Sequence, residues 1–211
     1  MRRQQTSSRS SRLQVAARAI ADDSAGTFDQ ARSFAARALG LDAKSAQPSN
    51  LEIHQALVGH LSLFAYDRQS ALLSRLRTAA RGALECFAIF QPRLCGPVWY
   101  GAATQSSPIT VHLISDETEA VTRFLLERKI PYNLTDGHFR FASSNPPMRM
   151  PQFDLVLAGE QFELPVFPHS GPWRHPLSAL DARPIKRVGM RELEVVIQSG
   201  LTFPDARSVP A

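Results

Sequence analysis

A chain of 211 residues, 44% hydrophobic and 20% charged, has the make-up of one ordinary globular domain with room for a helical appendage. No apolar run approaches the roughly 20 residues a membrane span needs. The net charge of +5 does not mark a basic nucleic-acid-binding body: the first 20 residues hold five arginines (Arg2, Arg3, Arg9, Arg12, Arg18) and no acid, and the remainder balances to zero.

The N-terminal MRRQQTSSRSSR is rich in Arg and Ser. It reads as a disordered basic tail over 1–12 that becomes helical near Leu13. The same composition occurs in organellar transit peptides and in arms that touch RNA, a protein partner or a membrane surface. A helical region over 13–92 follows. Thr27-Phe-Asp-Gln30 has the form of a capping box, and the run behind it ends at Gly40. Residues 42–49 form a loop. Ser49-Asn-Leu-Glu52 is a second capping box, opening a helix through Phe64. A long helical pattern then runs from Gln69 to Phe90, until Pro92 ends it.

From 93 to 200 the pattern is α+β. Pro97–Tyr100 and Ile109–Ile114 read as strands, and Asp116–Lys129 reads as a helix capped by Asp116. Two hairpins are expected. One turns at Asp136-Gly137, between Tyr132–Leu134 and His138–Phe141. The other turns at Ala158-Gly159-Glu160, between Phe153–Leu157 and Gln161–Phe167. A Pro/Ser/Met loop, Ser143–Pro151, separates them. Trp173, in an irregular proline-rich segment, is expected to pack over the hairpins. A last helix, Gly189–Ser199, stops at Gly200, and 201–211 is a C-terminal tail.

Chemistry-bearing groups are sparse. Cys86 and Cys95 have no second Cys/His pair at ligand spacing, so they read as reduced, largely buried thiols in a cytoplasmic setting. His54 and His60 fall on different helix faces, and His169 and His175 flank a loop. There is no G-x-x-x-x-G-K-[ST] and no G-x-S-x-G. The remaining stretch is YGAATQSSPITVHL, residues 100–113. Small residues at Gly101-Ala102-Ala103 let backbone amides approach an anion, and Thr104, Ser106 and Ser107 add hydroxyls. Nucleotidyl transfer also needs divalent metal, held by carboxylates at alternate strand positions.

At these residues the chain resembles a nucleotidyltransferase-like family of small proteobacterial proteins. The resemblance runs from about Phe28 to Ile197, through ARSFAARALGL, NLEIHQAL, FQPRLCGPVWYGAATQSSPITVHLISDETEAVTRFLLERKIPY and LSALDARPIKRVGMRELEVVI. It implies a helical N-terminal half packed on a small mixed sheet. It also implies a nucleoside triphosphate cradled by Gly101, Ala102, Thr104, Ser106 and Ser107, with Mg²⁺ assisting. The chain departs from the pattern where acids are expected, at Pro108 and Thr110. Asp116, Asp154 and Glu163 remain as candidate catalytic acids, and Asp116, His112 and Glu163 as a rearranged metal set. The resemblance therefore implies a nucleotide-binding relative with a degenerate metal site. The alternatives are an active Mg²⁺-dependent transferase with rearranged acids, and a non-catalytic protein- or RNA-interaction module.

Overall fold

A computed structural model describes residues 2–41, 47–142 and 146–204, with side chains from residue 9 onward. The first part of the 42–49 loop, residues 143–145 of the expected Pro/Ser/Met loop and the tail beyond 204 lie outside the described residues.

The fold is α+β. Helices α1 (Arg2–Ala21), α2 (Phe28–Ala38), α3 (Asn50–Phe64) and α4 (Tyr66–Cys86) precede a short strand β1 (Arg93–Cys95). Then come a four-residue helix α5 (Pro97–Tyr100), β2 (Ile109–Ile114) and α6 (Thr118–Glu127). Strands β3 (Tyr132–Phe139), β4 (Met148–Leu157) and β5 (Glu160–Phe167) and helix α7 (Met190–Ser199) complete the chain. The sheet order is β1-β2-β5-β4-β3. Only β2 and β5 run parallel; the other neighbours are antiparallel. No helix among the described residues is long and apolar enough to cross a membrane.

Both capping boxes form. Thr27 and Ser49 each accept the N3 amide and receive the N3 side chain in return. Each reciprocal cap satisfies two otherwise orphaned amides. The β4–β5 hairpin turns at Ala158-Gly159, both at positive φ (52° and 80°), as its strand twist requires.

Strand alternation sends β2 residues Ile109, Val111 and Leu113 to one face of the sheet. They join Phe153, Phe162, Leu164 and Val166, and the inner sides of α4, α6 and α7, in the main core. Thr110 and His112 point to the opposite face. Over that face lies the N-terminal layer, where Ala17, Leu57, Leu61 and Ala102 bury one another. The layers are also tied by hydrogen bonds, Ser106 Oγ to Asp23 Oδ1 (2.5 Å) and Asn50 Nδ2 to the Ala179 carbonyl (2.8 Å).

Five sequence expectations change. Helix α1 is continuous from Arg2 rather than starting near Leu13, and of its arginines Arg9 pairs with Glu52 (2.7 Å) and Arg12 is buried. Pro97–Tyr100 is a helical turn, not a strand. Pro97 sits at its first position, where the missing N–H is no loss, and Gly96 turns the chain into it at φ 72°. Asp136-Gly137 is not a turn, because β3 pairs with β4 without a break, Gly137 opposite Met150. A Cβ on Gly137 would come within 2.6 Å of the Phe139 ring, so this glycine serves close packing. The Pro/Ser/Met segment is strand from Met148 on. Asp116 does not cap α6, whose N-cap is Glu117; its carboxylate instead accepts the His169 amide (2.9 Å) and pairs with His169 Nδ1 (3.2 Å). Trp173 packs as expected, edge-on to Phe141 with ring centroids 5.5 Å apart.

Candidate functional site

A cavity of about 490 Å³ lies between the N-terminal layer and the second face of the sheet. That volume falls within the range of small-molecule sites. Ile20, Phe28 and Leu57 form its helical wall. Gly96, Pro97 and Tyr100 come from the end of β1 and from α5. Pro108 comes from just before β2, Thr110 and His112 from β2, and Leu180 and Ile185 from the loop before α7. The wall is mostly apolar, with polar groups at a few points.

Those groups have defined states. His112 is 1% exposed, and its Nδ1 accepts a hydrogen bond from Arg187 Nε at 2.9 Å. A guanidinium only donates, so the ring is neutral and carries its proton on Nε2. Burial, and next the Arg187 charge, hold its pKa well below the ordinary value. His54 is also shifted down by burial and meets Tyr100 edge-on at 5.8 Å. Tyr100 is shifted up, mainly by burial, so its phenol stays protonated. Cys95, also in this wall, is pushed up to about 12 by burial. It is held as a thiol, which makes it a poor nucleophile.

The state of His112 gives a testable pH dependence. Unfolded, it takes a proton near pH 6.5; folded, it does so only well below that. The unfolded state therefore binds more protons as pH falls, and stability drops below pH 6.5 by up to about 1.4 kcal/mol per pH unit. Glu163, shifted up, acts in the opposite sense, so the test compares two proteins. Urea unfolding at pH 7 and pH 5 should show a smaller acid loss for His112→Gln than for the wild type. Equal losses would contradict the buried neutral imidazole.

The expected nucleotide cradle separates into two parts. Gly101 faces away from the cavity, and a Cβ there would lie 2.6 Å from the Thr202 carbonyl oxygen. Its own carbonyl and that of Ala103 accept from Gln69 Nε2, each at 2.9 Å. Ala102, Thr104, Ser106 and Ser107 do line the cavity. Their hydroxyls are mutually engaged: Ser107 Oγ accepts the Thr104 amide (2.9 Å), and Thr104 Oγ1 lies 3.1 Å from Ser107 Oγ and 3.3 Å from Ser106 Oγ. The Ser106 hydroxyl donates to Asp23, so it too is already engaged.

The candidate acids divide as well. Glu163 is the register partner of Thr110 on β5, and Asp154 is its partner on β4. These three share one row on the second face. Burial, and then the Asp154 charge, push the Glu163 pKa up. Asp154 accepts from Gln152 Nε2 (2.8 Å) and Thr135 Oγ1 (2.9 Å). Asp116 stands past the far end of β2, six residues from Thr110 or on the order of 20 Å of extended chain. Asp116, His112 and Glu163 are therefore not brought together, and among the described residues no three His, Cys, Asp or Glu groups form a metal-sized cluster. Mg²⁺ wants several hard oxygen ligands in near-octahedral geometry. Glu163, its pKa raised, and Asp154, already engaged by Gln152 and Thr135, beside a threonine and a proline, do not supply that set.

Gly96, Tyr100, His54 and Arg187 were not among the sequence candidates. Gly96-Pro97 directly after Leu94-Cys95 is a Gly-small pair at a strand end and could have pointed to the site; Arg187 left no such signal. In comparisons with known proteins, no family model, no curated protein and no solved structure matches the chain.

Proposed function

We propose that this chain is a nucleotide-binding protein of nucleotidyltransferase-like type that holds its ligand without transferring it. The observation that carries this reading is the make-up of the cavity wall. It unites a glycine directly after a strand, Gly96, with Pro108, just before β2, and Thr110 on it, the two positions at which the transferase pattern carries acids. The pocket has the apolar body and convergent polar rim that a ring system with hydrogen-bonding edges needs. His112 Nε2–H is a donor of fixed tautomer, and the Thr110 hydroxyl is engaged with Glu163. The absence of carboxylates at 108 and 110 argues for binding without in-line transfer, because that reaction depends on positioned metal and charge stabilisation.

The test is thermal stability in the presence of ATP, CTP, GTP or UTP, with Mg²⁺ or with EDTA. At 100 times its dissociation constant, a ligand of the native state adds about 2.7 kcal/mol. At least one nucleotide should stabilise the protein, and equally in both buffers. Leu180→Trp, which fills the cavity from a half-buried loop position, should abolish the shift. No shift with any nucleotide would overturn the reading. A shift seen only with Mg²⁺ would return the chain to the metal-dependent enzymes.

A further inference from the structure

The cavity wall carries no charge. Among the described residues that line it, none is Asp, Glu, Lys or Arg. Its titratable groups are neutral at pH 7. Arg187 fixes the His112 ring as neutral, burial holds His54 below and Tyr100 above their ordinary values, and Cys95 is a thiol. The charges nearby belong to residues outside the lining and are engaged with wall groups. Asp23 accepts from Ser106 (2.5 Å), Arg187 donates to His112 (2.9 Å), and Glu163 is the register partner of Thr110. In the neighbouring loop Asp181, Arg183 and Lys186 are exposed and of both signs. A site built for phosphate aims guanidinium or ammonium groups at it. Here the lining offers no counter-charge, and an unpaired charge is costly to take out of water.

One donor in the wall is unfilled. His112 is 1% exposed, and Arg187 Nε fills its Nδ1. Its Nε2–H makes no hydrogen bond to a described residue, and unlike Arg187 Nη2 it is not sealed from the cavity that the ring lines. The hydroxyls of Thr104, Ser106 and Ser107, by contrast, are engaged with one another and with Asp23. The bond from Arg187 polarises the ring and makes Nε2–H a stronger donor. A buried donor left open calls for an acceptor from the ligand. A charge-free wall admits a neutral one, such as a carbonyl oxygen or a ring nitrogen.

We propose that this cavity takes an uncharged ligand, the nucleoside alone, held by His112 Nε2–H through a carbonyl oxygen or ring nitrogen of the base. Any phosphate stays in solvent and adds nothing to the affinity. The proposal rests on the nucleotide reading above and narrows it to recognition of base and sugar.

The experiment is calorimetric titration of adenosine, cytidine, guanosine and uridine against their triphosphates, in EDTA, at low and at high salt. For at least one base, nucleoside and triphosphate should bind within about threefold of each other, and salt should change neither affinity more than about twofold. A triphosphate that binds more than threefold tighter than its nucleoside would overturn the inference and leave the nucleotide reading standing. Binding by none of these compounds would remove both. A nucleoside that binds while its triphosphate does not would support the inference, the phosphate being kept out. The donor is tested separately. In ring ¹H–¹⁵N spectra the His112 Nε2 signal should move on saturation with the nucleoside, and His112→Phe should bind it at least tenfold more weakly. An unmoved ring signal, or a folded His112→Phe that binds as the wild type does, would overturn the role of His112. If His112→Phe folds poorly, the ring signal decides alone.

Discussion

Gly101→Ala is expected to destabilise the protein by about 2–5 kcal/mol while leaving the cavity wall unchanged. Two costs combine. Gly101 adopts φ 85°, and a residue with a Cβ pays about 1–2 kcal/mol in the left-handed region. The added Cβ would also lie 2.6 Å from the Thr202 carbonyl oxygen and 2.8 Å from Phe203 Cδ1. Backbone cannot step aside as a flexible side chain can, and overpacking of this kind costs about 1–3 kcal/mol. For a chain of this size the loss is on the order of 5–15 °C in melting temperature. Gly159→Ala supplies the control. Its φ is 80°, but nothing lies within 4 Å of its added Cβ, so it carries the conformational cost alone. Thermal unfolding should show a clearly larger loss at 101 than at 159. Equal losses would mean that the 202–203 segment does not pack on Gly101.

Arg77→Met is the second large effect, with an expected loss of about 3–5 kcal/mol. Arg77 is 3% exposed on the inner side of α4. Its guanidinium donates to four backbone carbonyls: Val98 (3.2 Å), Trp99 (3.3 Å), Thr202 (3.0 Å) and Leu201. It thereby holds α5 and the segment after α7 against α4. Burial lowers its pKa to about 10, a measure of what desolvation costs, and the four acceptors offset that cost. Methionine preserves much of the volume but leaves the carbonyls without a donor. Arg77→Lys should recover little, because one ammonium cannot reproduce a planar fork of five donors. Equilibrium unfolding in urea measures all three proteins. A methionine variant within 0.5 kcal/mol of the wild type would show that water replaces the guanidinium there.

Much of the fold was legible because its signals are local. Thr27 and Ser49 announce helices through the residue three positions later. Alternation over Ile109–Ile114 gives a strand, though its second face is covered too, and Ala158-Gly159 gives a hairpin. Where local signals misled, a tertiary contact had taken over the residue. Val98-Trp99-Tyr100 has strand character, but Gly96 and Pro97 start a helical turn that Arg77 secures from α4. Asp136-Gly137 has turn character, but the glycine is used to seat Phe139 against β4.

The site was less legible than the fold. The small-residue stretch was noticed, yet Gly101 faces Thr202, and Gly96, five residues earlier, lines the cavity. The wall draws on Ile20, His54, Tyr100, Thr110 and Leu180, which come together only when the helical layer closes over the sheet. Contacts so distant in sequence leave no spacing to read. Arg187 is the extreme case: alone in the sequence it is one of 24 basic residues, and its partner is 75 positions away.

The most direct test of the central claim is amide chemical-shift mapping on ¹⁵N-labelled protein titrated with the four nucleoside triphosphates in EDTA. The account predicts saturable shifts centred on Gly96, Ser107, Thr110, His112 and Leu180, with Gly159 and the Tyr132–Leu134 part of β3 unaffected. Spectra that do not change, or changes confined to residues outside the cavity wall, would contradict it.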